Sequence, residues 1–252
     1  MSEIQSAPHK LFAATLSRLT AELELREVPG KAGGAYMALI SQAPFHQGQC
    51  GEVRVFKGKG DVRVVCCSLG APAIGLDSHM IFALTEAASP VPHFTLDSVQ
   101  AGDHLAFHLD LVPKTDLAVN LPYIEWAFAP LNSVHEQSYS IEGLSRAHVT
   151  PTQHAVMSPW MLVHRAVPSA FAQIGPLVDQ YLDHWLAVHG GGVPEAVTAS
   201  LADADLAARD TANRALIFDP RVDPVWGQIA GLIGKEAGAA MRDLLKGGTI
   251  HE

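Results

Sequence analysis

The chain has 252 residues, 48% apolar and 17% charged, a composition that fits a globular protein able to bury its own core without metal or disulfide staples. Its net charge of -9 is scattered rather than gathered in blocks, which argues against a nucleic-acid surface. Cys50, Cys66 and Cys67 are odd in number and lack CxxC spacing, so they read as buried thiols of a reducing cytosol, not as a zinc or redox motif. No stretch approaches the ~18 apolar residues of a membrane span and no apolar run follows a basic start, so the expected location is the cytoplasm.

Leu11, Phe12, Leu16, Leu19 and Leu23 predict an amphipathic helix over residues 8–28, ended by Pro29 and Gly30. Six strands are expected next, at 35–41, 50–56, 62–69, 79–86, 93–99 and 104–112, each short and punctuated by Gly, Pro or Asp. Strands in series without intervening helices make an antiparallel sheet. Residues 122–134 are expected to be helical, 155–164 a further strand, and 171–189, 199–217 and 223–246 helices, with Gly190–Gly192 as a helix stop. Strands first and helices last is the α+β pattern, and no linker or repeat divides the expected single domain over 1–252.

Within 104–112, Leu105, Phe107, Leu109 and Leu111 face one way, while His104, Ala106, His108 and Asp110 face the other. Two imidazoles and a carboxylate on one wall suit a polar cleft, and equally a solvated sheet surface. His104 and His108 stand about 13 Å apart on a strand, too far to share a metal ion, and no metal site is expected. Asp97 lies in an apolar stretch after two prolines; buried there, its pKa rises toward neutrality and makes it a proton donor, while exposed it caps a turn. Asp223 before Pro224 reads first as a helix N-cap. No GxGxxG follows a strand and no Walker A loop is present, which excludes the common nucleotide sites.

Residues 91–113, VPHFTLDSVQAGDHLAFHLDLVP, resemble the segment of ferredoxin-dependent bilin reductases in which a Pro, Phe, small or apolar residue, Asp, Val motif precedes a strand ending in a DLxP-like sequence. Asp97 falls on that family's central catalytic Asp. Residues 107–117, FHLDLVPKTDL, with Pro122-Tyr123 after them, are similar to the red chlorophyll catabolite reductases of the same superfamily. Met157-Ser158-Pro159 through Arg165 resembles the strand that binds substrate propionates, and 223–234 matches the length of a C-terminal motif opening on a second functional Asp. The family's histidine upstream of the central Asp has its nearest counterpart in His79, one residue out of register.

The resemblance implies a three-layer α/β/α sandwich with a central, mostly antiparallel sheet and a linear tetrapyrrole between the sheet and the C-terminal helices. It implies no bound cofactor, with electrons delivered by reduced ferredoxin, an iron–sulfur protein, or by flavodoxin. Asp97 and Asp223 would donate protons, His79 and His108 would relay or orient, Arg165 and Ser158 would hold a propionate, and Phe94 and His93 would line the substrate. An acidic ferredoxin needs a basic patch, for which Arg54, Lys57, Lys59, Arg63 and Lys114 are the clustered candidates. A tetrapyrrole carrier, or a reductase of a chlorophyll catabolite, would use the same residues.

Overall fold

The structure, a computed structural model, describes residues 6–58 and 62–250; Lys59 and Gly60, in the expected hairpin turn, lie outside the described residues. The first helix, α1 (Ala7–Glu22), begins where the Ser6 side chain accepts the His9 N–H and Pro8 occupies the first turn. It buries Phe12, Leu16 and Leu19 but ends before the expected residue 28. Glu24 adopts a φ of 48°, a left-handed conformation that stops the helix, and Arg26–Val28 leave as a short strand, β1.

The six expected strands follow as β2 (Met37–Ser41), β3 (Gly48–Lys57), β4 (Arg63–Ala71), β5 (Leu76–Leu84), β6 (His93–Ala101) and β7 (His104–Val112). The remainder is α2 (Leu121–Ala127), α3 (Asn132–Ser138), β8 (Leu144–Arg146), α4 (Pro151–His154), β9 (Leu162–Ala166), α5 (Pro168–Phe171), α6 (Gly175–Gly190), α7 (Glu195–Ser200), α8 (Leu206–Ile217), α9 (Val225–Ile233) and α10 (Lys235–Leu245). Residues 155–164 therefore are not one strand. Thr150 and Gln153 form a reciprocal capping box that starts a helical turn, and pairing begins only at Leu162. The expected helix over 223–246 is two helices, broken at Gly234, whose φ of 90° no helix accommodates.

The strands form one nine-stranded antiparallel sheet in the order β1-β3-β4-β5-β6-β7-β9-β8, with β2 following β1 along the outer edge of β3. Helices cover both faces. On one side Phe94, Leu96, Phe107 and Leu109 pack with Trp185 and Leu182 of α6 and with Phe12 and Leu16 of α1. On the other, Val65, Met80 and Phe82 pack with Phe218, Trp226 of α9 and Met241 of α10. The molecule is thus an α+β three-layer sandwich around a mostly antiparallel sheet. The large aromatics are anchored by polar tips: the Trp185 indole N–H donates to the Pro92 carbonyl at 2.8 Å and that of Trp226 to the Ile217 carbonyl at 2.9 Å. Among the described residues, no helix is long and apolar enough to cross a membrane.

The end of β5 and the start of β6 are tied to α8 by a buried charge cluster. Asp210 takes hydrogen bonds or ion pairs from His93 Nε2 at 2.6 Å, Lys114 Nζ at 2.7 Å and Arg214 Nε at 2.8 Å. His93 Nδ1 accepts the Thr85 N–H, which assigns the proton to Nε2. Burial would raise the Asp210 carboxyl, but the bonds from His93 and Lys114 and the charge of Arg214 outweigh it and hold the group ionised. Arg214 also donates to the Thr85 carbonyl at 2.9 Å, and Lys114 to that of Glu86 at 3.1 Å, so the strand end is fastened from two directions.

Candidate functional site

Cross-strand partners in an antiparallel sheet share a face. The register therefore places Val53, Cys67, Met80, Asp97, His108 and Val163 in one row across the face covered by α9 and α10. Asp97 and His108 are the polar members of the row, set directly opposite each other on β6 and β7. Both are partly buried, and Asp97 Oδ1 and His108 Nε2 are each buried with no hydrogen-bond partner among the described residues. Unmet buried polar atoms cost about 1–3 kcal/mol each, so a folded protein rarely keeps two side by side without a use for them.

Asp97 also lines a cavity of about 500 Å³ between the sheet and α9. Its walls are largely apolar: Met80, Leu69 and Val99 from the sheet, and Val225, Ile229 and Leu232 from α9. Phe45 and Ile74 lie on its lining with about half of their surface exposed, giving it an apolar rim. A cavity of this size and character, with few convergent polar groups, is that of a small-molecule site. Asp223, half-buried just before α9, is near enough for its charge to act on Asp97, and its Oδ1 accepts the Val225 N–H at 3.1 Å.

Burial pushes the Asp97 carboxyl up to about 7, aided by the negative charge of Asp223 and opposed by the Ser98 backbone N–H. The Asp223 carboxyl is raised by burial as well, against its bond from Val225. Burial drives the His108 imidazole down to about 4, so at neutral pH it is an uncharged ring able to orient a partner, not a store of a second proton. Cys67, in the same row, is pushed up to about 12 by burial and by Asp97, which leaves an unreactive thiol. At neutral pH the site therefore holds one carboxyl near its midpoint of ionisation, a second raised acid and a neutral imidazole.

The other expected site residues separate from this group. His79 pairs with Ser98, one place along from Asp97, so it lies on the opposite face. There it bonds Ser68 at 3.0 Å and Asp77 at 2.9 Å and packs on Phe12 and His9 of α1. Phe94 is likewise on the opposite face, fully buried against Trp185, and His93 belongs to the Asp210 cluster. Ser158 is not free to hold a substrate carboxylate: its N–H and hydroxyl donate to Asp110 at 3.0 and 2.5 Å. Burial raises Asp110 to about 7 against those two bonds, and the pair fastens β7 to the segment leading into β9. Arg165 is exposed on the cavity-side face, opposite Ala106, with no hydrogen bond or ion pair among the described residues.

The expected basic patch does not form as one surface. Arg54 is clamped on Glu27 through two bonds of 2.8 and 2.6 Å, Lys114 is buried on Asp210, and Lys59 lies outside the described residues. The α9 residues Val225, Ile229 and Leu232 were absent from the sequence-derived site, although the apolar run after Asp223-Pro224 signals a helix with a buried face.

No family model matches the sequence, and no curated protein matches it. Among solved structures, the fold is similar to that of tomato phytochromobilin synthase in complex with biliverdin. The TM-score is 0.66 and the identity 15%, over 94% of this chain and 82% of that one.

Proposed function

We propose that the chain reduces a linear tetrapyrrole of the biliverdin kind, seated in the apolar cavity between the sheet and α9. The observation that carries this reading is Asp97: a cavity-facing carboxyl raised to about 7 with a buried oxygen left unbonded, set against the equally unbonded His108 Nε2. Pyrrole N–H groups and lactam oxygens are the donors and acceptors that such a pair lacks, and the apolar walls match a conjugated ring system. The structural likeness to a bilin-bound synthase supports the choice of ligand.

Reduction of one conjugated double bond takes two electrons and two protons. The electrons come singly from an external donor, reduced ferredoxin or flavodoxin, since the chain's own thiols are buried and unreactive. The first electron raises the basicity of the tetrapyrrole, and protonated Asp97 transfers its proton to it, leaving a carboxylate that solvent reprotonates. Asp223 serves the second proton from the helical side. His108, neutral, orients the substrate beside Asp97, and Arg165 pairs with a propionate bidentately.

The test is an anaerobic mixture of protein, biliverdin, reduced ferredoxin and a regenerating system followed by visible absorption. A bound spectrum that evolves through a radical to a blue-shifted product is the expected result. A bound spectrum that never evolves would make the protein a carrier or the substrate a different tetrapyrrole, and no spectral change at all would overturn the reading.

A further inference from the structure

One polar side chain on the apolar cavity occupies a position where the fold asks for an aliphatic one. On α9, Val225, Gln228, Ile229 and Leu232 all line the cavity, at the i, i+3, i+4, i+7 spacing of a helix's apolar stripe. Three of the four are aliphatic, and the other is a carboxamide. Gln228 is exposed, and its side chain makes no hydrogen bond among the described residues. By contrast, Gln180 on α6 donates back to the Pro176 carbonyl at 3.2 Å. Exposed and yet on the lining, as Phe45 and Ile74 are, Gln228 stands where the cavity opens to solvent.

The sheet wall opposite carries the polar side chains Ser78 and Asp97, diagonal neighbours on β5 and β6. Ser78 is buried, and its hydroxyl also makes no hydrogen bond among the described residues. Asp97 is the one ionisable side chain on the lining, which holds no Lys, Arg or His. A ligand carboxylate inside would lie against Asp97 with no counter-charge, a costly burial. The end of a ligand that enters is therefore uncharged, and its acids stay outside. What such an end offers the three polar side chains is neutral hydrogen bonding.

We infer that Gln228 is the residue by which the cavity selects a lactam-ended ligand, its carboxamide pairing with the N–H and C=O of a terminal lactam ring at the mouth. This rests on the tetrapyrrole reading and narrows it. A primary carboxamide sets one donor and one acceptor side by side in a plane, and a lactam sets its N–H and C=O the same way, so the two close a ring of two hydrogen bonds. A carboxylate at this position would lack the donor, and a hydroxyl would offer a single point. A cyclic tetrapyrrole has pyrrole nitrogens but no terminal lactam and cannot make the pair. The selection is thus for the opened chain over the macrocycle, by a polar contact that the wrong ligand leaves unmet.

The experiment is titration of the intact chain with biliverdin and with its bis-lactim methyl ether, which keeps the rings and both propionates but has lost the lactam N–H. Each is followed by visible absorption in the parent and in Gln228→Leu. Biliverdin is expected to bind the variant about tenfold more weakly than the parent, and the ether to bind both proteins within about twofold. The sign is informative, because leucine adds apolar surface at the mouth, and replacing a bystander glutamine would leave the affinity unchanged or raise it. Unchanged or tighter binding of biliverdin by Gln228→Leu overturns the inference and leaves the tetrapyrrole reading standing. Equal weakening of both ligands also overturns it, since the residue would then act through shape. A parent that binds no biliverdin removes both readings together. Leucine is as good a helix former as glutamine, and thermal melts of the two proteins separate lost binding from lost folding.

Discussion

Asp97 and His108 face each other across β6 and β7, and each keeps one buried polar atom unbonded. Their neighbours in the row, Met80 and Val163, offer neither donor nor acceptor. Of the two, Asp97 lines the cavity and His108 stands behind it in the row, and under the proposed function the acid brings a proton and the ring brings orientation.

Asp97→Asn keeps the shape and removes the proton. Turnover of a bound tetrapyrrole should fall by about 10²–10⁴, while the ligand Kd, read from the bound spectrum, stays within about threefold. Loss of binding along with turnover would make Asp97 a ligand anchor instead.

The same substitution has a pH signature in stability. The folded protein holds the Asp97 proton up to about pH 7, whereas the unfolded chain releases it near 3.8. The stability from this group is thus fully present below about pH 4 and is lost as pH rises through 7. Melts of parent and Asp97→Asn should therefore diverge with rising pH, the variant gaining about 1–3 kcal/mol relative to the parent by pH 8. Asp110 is present in both proteins and cancels from the comparison, while Asp223, whose charge acts on Asp97, contributes to the difference through that interaction. Turnover should decline over the same window, because the donor loses its proton.

His108 and His79 make a matched pair of controls. Replacing His108 by Leu removes an orphaned imidazole, so stability should hold within about 1 kcal/mol while turnover drops tenfold or more. Replacing His79 by Leu breaks its bonds to Ser68 and Asp77 on the other face and should cost about 1–3 kcal/mol with turnover per folded molecule unchanged. Equal turnover losses would place both histidines in the chemistry.

Asp210→Asn would leave Lys114 and Arg214 buried without their counter-charge. The expected penalty is about 3–5 kcal/mol, measurable by denaturant unfolding. Replacing Asp210 together with Lys114 should recover part of it.

Gly234 joins α9 to α10 at a φ of 90°, and a Cβ there would meet the Gln42 side chain at 2.5 Å. Gly234→Ala should cost about 1–3 kcal/mol, and because α9 roofs the cavity it should also weaken ligand binding. A variant destabilised with unaltered binding would show that α9 keeps its position independently of this joint.

Much of this architecture can be read from the sequence, and the exceptions have physical causes. The alternation of β7 was visible because one of its faces turns polar at His104 and His108. In β5 the run Met80–Leu84 is apolar at every position, since helices cover both faces, and the alternation that puts Met80 beside Asp97 and His79 behind it is hidden. The resemblance places Phe94 and His93 at the substrate, but Phe94 points to the opposite face from Asp97, and His93, on the cavity-side parity, is drawn to Asp210. Lys114 and Asp210 lie 96 residues apart, and their pairing emerges only when α8 packs on the sheet. The break at Gly234 was legible as a glycine but not as a turn, because the apolar periodicity resumes on its far side.

The margins of the sheet carry a consequence for the protein in crowded solution. One side ends in three-residue β8, with Ser145 and Arg146 exposed. The other is divided between three-residue β1, which presents Arg26 and Glu27, and β2, whose ladder shifts register between Leu39 and Ile40. A foreign strand finds short ladders and charges at β1 and β8, and at β2 a register shift that interrupts the aligned backbone groups it would need to add itself. The broad antiparallel surface that supports the site is in this way kept from becoming a template for self-association.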